Sequence, residues 1–311
     1  MTLRSLAAAW DDFWFKPQPP TAIALYRILF GVLVLCYGAL LASDLLVWLG
    51  PRGILSQATA YQWSQRAPIH LIDGLPPGDG WVVTFFALFM WAALCLTLGI
   101  STRLSGLLVF LGLVSIHHRN MLILNSGDTL LRINAFLLIF SPAGTALSLD
   151  RLRRVRSGLE TGDPPQSAPW AQRLIQVQLA MMYFSTFLVK THGSFWLNGT
   201  AVYYVTRLQE FWRFPVPYLF EHLWMIRCLT WGTLLVEFSL AFLVWFSELR
   251  YAVLAAGLLL HLGLEYSMNV PLFQWIAVST YVTFLEPQHL LRARDWLLRK
   301  SFVFRQAFVG K

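Results

Sequence analysis

The feature that most constrains this chain is a series of apolar runs, each long enough to cross or nearly cross the ~30 Å hydrocarbon layer of a bilayer. They lie at Ala22–Ala42, Trp81–Ile100, Leu104–Leu124, Leu130–Leu149, Ala171–Val189, Leu223–Trp245, Tyr251–Met268 and Leu272–Leu285, the last being short. Composition agrees: 57% of residues are hydrophobic and 13% charged, against roughly a quarter charged in soluble proteins. So few charges could not cover the surface of a soluble fold this long. The expected fold class is an all-α integral membrane protein, a bundle of about eight transmembrane helices with amphipathic interfacial helices. The whole chain, 1–311, reads as a single domain.

The segments between the runs carry further information. Residues 1–20 place Trp10, Asp11, Asp12 and Trp14 before Pro17, Pro19 and Pro20. This is not the basic-then-apolar order of a cleaved leader, so an interfacial helix is expected there, with the first span acting as insertion signal. Asp44–Gly80 and Thr191–His222 are long and rich in Trp, Tyr, Phe and Pro, as expected of re-entrant or interfacial segments roofing one end of the bundle. Asp150–Pro169 reads as a plain flexible linker, and residues 287–311 as an amphipathic cytoplasmic tail. With eight spans, one set of segments holds about fifteen of the 24 Lys and Arg, which puts both termini in the cytoplasm by the positive-inside rule. The expected location is the cell membrane, multi-pass. The net charge of +8 then belongs to topology and anionic lipid, not to nucleic acid. Cys36, Cys95 and Cys228 are scattered through apolar stretches, which argues against a disulfide framework or a zinc site.

An ionisable side chain in hydrocarbon costs at least ~2.5 kcal/mol, so each one calls for a reason. His261 and Glu265 stand four apart on one helical face, and Glu237 lies near the middle of its span. Asp128 and Arg132 open span four, Lys190 and His192 close span five, and His117 and His118 close span three. In a bundle these groups would line one cavity. The bland readings differ by residue. Arg27, two turns from a surface, would snorkel. Asp128 with Arg132 would be an ion pair at a helix start, where an acid suits the dipole. His117 and His118 would be interfacial, and as neighbours they face apart, a poor metal pair. His261 and Glu265 have ligand spacing without a third ligand, so no metal is expected. Glu237 is the hardest to explain as decoration, because a buried carboxylate should be neutral or paired.

Several blocks together resemble the horizontally transferred transmembrane (HTTM) domain, the membrane part of vitamin K-dependent gamma-carboxylase and of many bacterial proteins. They are Tyr26-Arg27-Ile28-Leu29-Phe30-Gly31, Arg103-Leu104-Ser105, and Asn125-Ser126-Gly127-Asp128-Thr129-Leu130-Leu131-Arg132. Further along come Phe140-Ser141-Pro142, Lys190-Thr191-His192-Gly193-Ser194-Phe195-Trp196, Leu235-Val236-Glu237, and His261 ahead of Phe273-Gln274-Trp275. The resemblance covers nearly the whole chain. It implies that Lys190 matches a lysine acting as base on a reduced quinone, a role that desolvation of an amine favours in general. It also implies that His261 and Glu237 stand where the family has a histidine and an acid. The departures bear on function. Thr191 follows Lys190 where the carboxylase has a second lysine, and the match needs a one-residue insertion before Trp196. Gly127 and Asp128 stand in place of a carboxylase histidine, its cysteine bridge has no counterpart, and its soluble C-terminal region has no match in this chain. Glutamate carboxylation therefore does not carry over.

Two functions remain open at this stage. One is a membrane-embedded, carboxylase-like lyase with Lys190 as base and His261 as acid or hydrogen-bond donor. Glu237 would belong to the same site, supported by His192, Glu265, Asp128, Arg132, Asn125 and Trp196. Its substrate would be a quinone-like, lipid-soluble or peptide molecule, with a reduced, vitamin K-like quinone as the possible cofactor. The alternative is a non-catalytic maturation, immunity or binding partner of a small secreted peptide. A transporter ranks last, because inverted repeats are not visible.

Overall fold

A computed structural model describes residues 2–56, 59, 71–76, 78–215, 218–293 and 296. Among these residues the chain is all-helical, with only two isolated β-bridges. Helix α1 (Leu3–Phe15) is followed by α2 (Thr21–Ala42), α3 (Leu45–Leu49), α4 (Asp79–Leu98), α5 (Thr102–Arg119), α6 (Ser126–Ile139) and α7 (Leu149–Arg156). Then come α8 (Trp170–Thr191), the short α9 (Ser194–Leu197) and α10 (Ala201–Val205), α11 (Leu223–Phe242), α12 (Ser247–Ser267) and α13 (Phe273–Thr280). A 3-10 turn, Tyr281–Phe284, extends α13.

Four segments are long and apolar enough to cross a membrane: Thr21–Ala42, Asp79–Leu98, Leu223–Trp245 and Ser247–Ser267. Helices α5, α6, α8 and α13 occupy the other four expected positions but are shorter or more polar. The reason is visible in their buried faces, which carry Ser105, Ser115 and His117 on α5, Asn134 on α6, Gln172 and Gln176 on α8, and Gln274 on α13. Some of these groups bond inside the bundle: Gln172 and Gln176 both donate to the carbonyl of Thr283, at 2.7 and 2.6 Å, and Gln274 faces His261. Protein, not lipid, surrounds them.

The bundle has two halves. In the first, α2, α4, α5 and α6 pack in sequence around Tyr26, Phe30, Phe89, Leu113 and Leu131. In the second, α8, α11 and α12 close on Leu179, Leu240, Val244 and Leu254. Helix α13 joins them, touching α2, α6, α8 and α12. Because successive long helices run antiparallel, the C-terminal ends of α2, α5, α8 and α12 share one end of the molecule with the N-termini of α4, α6, α11 and α13. That end holds Lys190; the opposite end holds Arg27.

Two expectations change at the Arg27 end. Arg27 does not snorkel. It is fully buried and donates to the carbonyls of Ala143 (2.8 Å), Leu147 (2.7 Å) and Thr97 (3.4 Å), because the loop after α6 folds under it. Gly99, in the left-handed region at the C-cap of α4, leaves the room this needs: a Cβ there would lie 2.7 Å from Arg27 Nη1. The Asp150–Pro169 linker is structured, beginning within α7 and folded back by an Arg154–Glu160 pair (2.6 Å) and a Gln18–Ser167 bridge. The basic cluster is thus a helix face with charges spaced for the surface. Helix α1 is exposed on Leu3, Trp10 and Phe15, and Phe13 holds it against Arg173 of α8 and Trp245. Of the expected tail, residues 287–293 are helical; 294–295 and 297–311 lie outside the described residues. At the other end, residues 57, 58 and 60–70 of the first long aromatic segment also lie outside them.

Candidate functional site

Lys190 sits in the last turn of α8, and its ammonium pairs with the Glu237 carboxylate of α11. The pair is enclosed: the Glu237 side chain is 8% exposed and that of Lys190 24%. Nζ also stands 4.9 Å from the ring centroid of Trp196 on α9, within cation–π range. The Gly193 carbonyl bonds the amides of Trp196 and Leu197 (3.0 and 3.2 Å), turning the chain so that the indole folds back over the lysine. The second carboxylate oxygen of Glu237, Oε2, is buried without a hydrogen-bond partner. This carboxylate therefore keeps acceptor capacity in reserve.

Two turns back along the same face of α8, Tyr183 begins a second set of contacts. Its hydroxyl lies 2.5 Å from His261 Nε2 on α12 and 2.8 Å from the Tyr281 hydroxyl. His261 Nδ1 faces the Gln274 Oε1 of α13. A carbonyl oxygen only accepts, so in the neutral imidazole the proton sits on Nδ1 and Nε2 accepts from Tyr183. All four side chains are buried. Gly257, one turn before His261, makes the approach possible, since a Cβ there would meet the Tyr281 hydroxyl at 2.5 Å. Glu237 is within electrostatic reach of Tyr183, and Lys190 of His261. The ion pair and the hydrogen-bonded chain form one polar patch inside an apolar bundle.

A cavity of about 370 Å³ opens beside this patch. Lys190 and Trp196 line it together with Val205, Leu229, Leu260 and Leu264 and the hydroxyl residues Thr206, Thr233 and Ser267. Its α12 wall includes Leu259, 70% exposed on the outer surface of the bundle. The site can hold an apolar body and present one cation with a paired acceptor to its polar end.

The other expected site residues fall elsewhere. His192 is exposed and its Nδ1 bonds the Leu188 carbonyl one turn earlier, at 2.7 Å. Glu265 turns away from His261 to Arg213, in the segment before α11. Asn125 and Asp128 form a capping box on α6: the Asn125 amide donates to Asp128 Oδ2 (2.7 Å) and the Gly127 amide to Asn125 Oδ1 (2.7 Å). No ion pair joins Asp128 to Arg132, both among the described residues. Asp128 instead faces His117 Nε2 at 3.6 Å. His117 itself is fully buried rather than interfacial, because the segment after α2 covers that end of α5; Arg119 donates to the Gly50 and Leu55 carbonyls there.

So Lys190, Glu237, His261 and Trp196 come together, while His192, Glu265, Asn125, Asp128 and Arg132 do not join them. Tyr183, Gln274 and Tyr281 belong to the site and were not singled out from sequence. Tyr183 had one legible signal, its seven-residue spacing from Lys190 on one helical face. Gln274 stood in the sequence only as part of the Phe273-Gln274-Trp275 block, with no role attached, and Tyr281 had no signal, being an uncharged residue in an apolar run. Compared with known families, residues 15–289 match the HTTM domain. No solved structure matches the chain.

Proposed function

The chain belongs to the HTTM domain family, and from that premise we propose that it is an intramembrane enzyme that takes a proton from a lipid-soluble molecule. The single observation behind this is the enclosed Lys190–Glu237 pair, whose lysine is, among the described residues, the one charged group lining a mostly apolar cavity. Bilayer energetics disfavours both charges unless they are paired or used. Between them the two groups hold one proton before the reaction and two after it, Lys190 being the member that faces the cavity. The substrate is left as an anion beside the ammonium, which stabilises it in a dry site. His261, with both ring nitrogens engaged by Tyr183 and Gln274, does not line the cavity; through the Tyr183 hydroxyl it orders the polar chain on the same face of α8 as Lys190.

A reduced quinone fits the residues present, with apolar walls for a ring and chain and an ammonium–carboxylate pair for a hydroxyl. Such a group would supply an acidic hydroxyl and reducing equivalents; carboxylation itself is not part of this reading. In the same reading α5, α6, α8 and α13 also cross the bilayer, making about eight spans. Both termini lie on the cytoplasmic side of the cell membrane, supported by the basic face of α7 and by Arg250 at the end opposite Lys190. A phosphatase reporter fused after Ser157 and active outside the cell would reverse that orientation.

The test needs no knowledge of the natural substrate. A long-chain alkyl nitrophenol, whose ionised form absorbs in the visible, is added to the full chain in nanodiscs. The wild type is expected to raise the phenolate fraction of the bound probe, and Lys190→Ala to abolish the rise with folding and insertion unchanged. Equal phenolate fractions in both would end the proposal. A second reading, a non-catalytic partner of a small secreted peptide, is favoured by the exposed rim of Tyr203, Tyr204, Phe211, Trp212, Phe214 and Tyr218. Copurification of such a peptide, unaffected by Lys190→Ala, would select it.

A further inference from the structure

A second cavity, of about 360 Å³, lies in the other half of the same end. A strap separates the two: Trp212 bridges Met268, and the Asn269 amide donates to the Phe211 carbonyl at 2.6 Å. Met268 lines the Lys190 cavity and Asn269 the second one. The second cavity has apolar walls from Trp48, Phe211 and Leu272 and one polar end, made by Tyr37, Asn125 and Asp128. The Tyr37 hydroxyl is buried with no hydrogen-bond partner. Asp128 is 4% exposed; its Oδ2 caps α6, and its Oδ1 stands 3.6 Å from His117, whose ring nitrogens are both buried and unpartnered. Helix capping accounts for one oxygen of Asp128 and for none of the rest. Tyr37 and Asp128 line the cavity and His117 does not; buried polar groups are nearly always satisfied, and an unpartnered one on a cavity-lining side chain is the exception that asks for a ligand.

We infer that this cavity is a second ligand site, for an apolar molecule carrying a hydroxyl. A hydroxyl complements both open groups at once, its proton going to Asp128 while the Tyr37 hydroxyl donates to its oxygen. Arg132, one turn along α6, is within electrostatic reach of Asp128 and offsets its charge, so the site does not call for a cation. An ammonium would satisfy Asp128 but leave the Tyr37 proton unused. The two cavities thus differ in kind: one presents a cation paired to a carboxylate, the other an acceptor and a neutral donor.

The full chain in lipid nanodiscs is titrated by calorimetry with naphthol, methylnaphthalene and naphthylmethylamine. In a Lys190→Ala background, where the first cavity has lost its charged pair, naphthol is expected to bind saturably, and about tenfold more weakly once Tyr37→Phe or Asp128→Asn is added. Methylnaphthalene should only partition. Equal naphthol binding in that background and in both cavity variants would overturn the inference, as would loss in Lys190→Ala alone or tighter binding of the amine. Should Asp128→Asn fail to fold, Tyr37→Phe leaves every capping contact in place and carries the test. The proton-transfer reading at Lys190 stands or falls separately, on its own probe.

Discussion

Arg27 and Lys190 are both cations held inside an apolar bundle, one at each end, and the protein treats them in opposite ways. Arg27 is fully buried and spends its two terminal nitrogens on three backbone carbonyls, two from the loop after α6 and one from the last turn of α4. Its partners are neutral, fixed and structural, and it does not line the cavities described. Lys190 has a single carboxylate partner on another helix, an aromatic ring above it and a cavity in front of it. A guanidinium's planar fork suits several carbonyls at once, whereas an ammonium is a point charge that can change partners. The lesson is that burial alone does not mark a functional charge. What marks it is a partner that can itself titrate, together with space for a third group.

That contrast can be broken by stability measurements on detergent-solubilised protein. The largest loss is expected for Arg27→Ala, on the order of 4 kcal/mol, because three buried carbonyls lose their donors together. Arg27→Lys should recover less than half, since one ammonium lacks the fork that reaches all three carbonyls. Next comes Lys190→Met, about 3 kcal/mol, because it strands the Glu237 carboxylate in the bundle. Adding Glu237→Leu should bring stability back to within about 1 kcal/mol of wild type, with phenolate formation still absent. A double variant as unstable as Lys190→Met would make the pair a structural device like Arg27, and the contrast would fail. A smaller effect, about 2 kcal/mol, is expected for Gly257→Val, which pushes the Tyr281 hydroxyl off the His261 chain by overpacking. Its sharper readout is imidazole NMR, where the His261 signals should move while those of His192 stay in place.

Much of the fold was legible in the sequence. The expected spans fall within a few residues of α2, α4, α11 and α12, because hydropathy and length are properties of a local stretch. Tyr26-Arg27 through Phe273-Gln274-Trp275 carried the family likeness, and the match over residues 15–289 agrees with it. The site was legible only as single residues. Lys190, Glu237 and His261 each stood out as an ionisable group in apolar surroundings, but nothing in their spacing joined residues 47 and 78 positions apart, the separations of the Lys190–Glu237 and Tyr183–His261 contacts. Glu265 misled for the same reason. Its four-residue spacing from His261 was real, yet the segment carrying Arg213 reaches it first. Arg27 misled because distance from a helix end says nothing of whether a loop folds underneath.

The sequence by itself determined that this chain is a membrane helix bundle and which side chains in it are too polar to be there without cause. Tertiary structure decided which of those side chains meet. Apolar length and charge are read one helix at a time, whereas a partner depends on the rotation of each helix about its axis and on the neighbour it packs against. Those are set by side-chain shape over whole faces, as where Gly257 admits Tyr281, and no local pattern contains them.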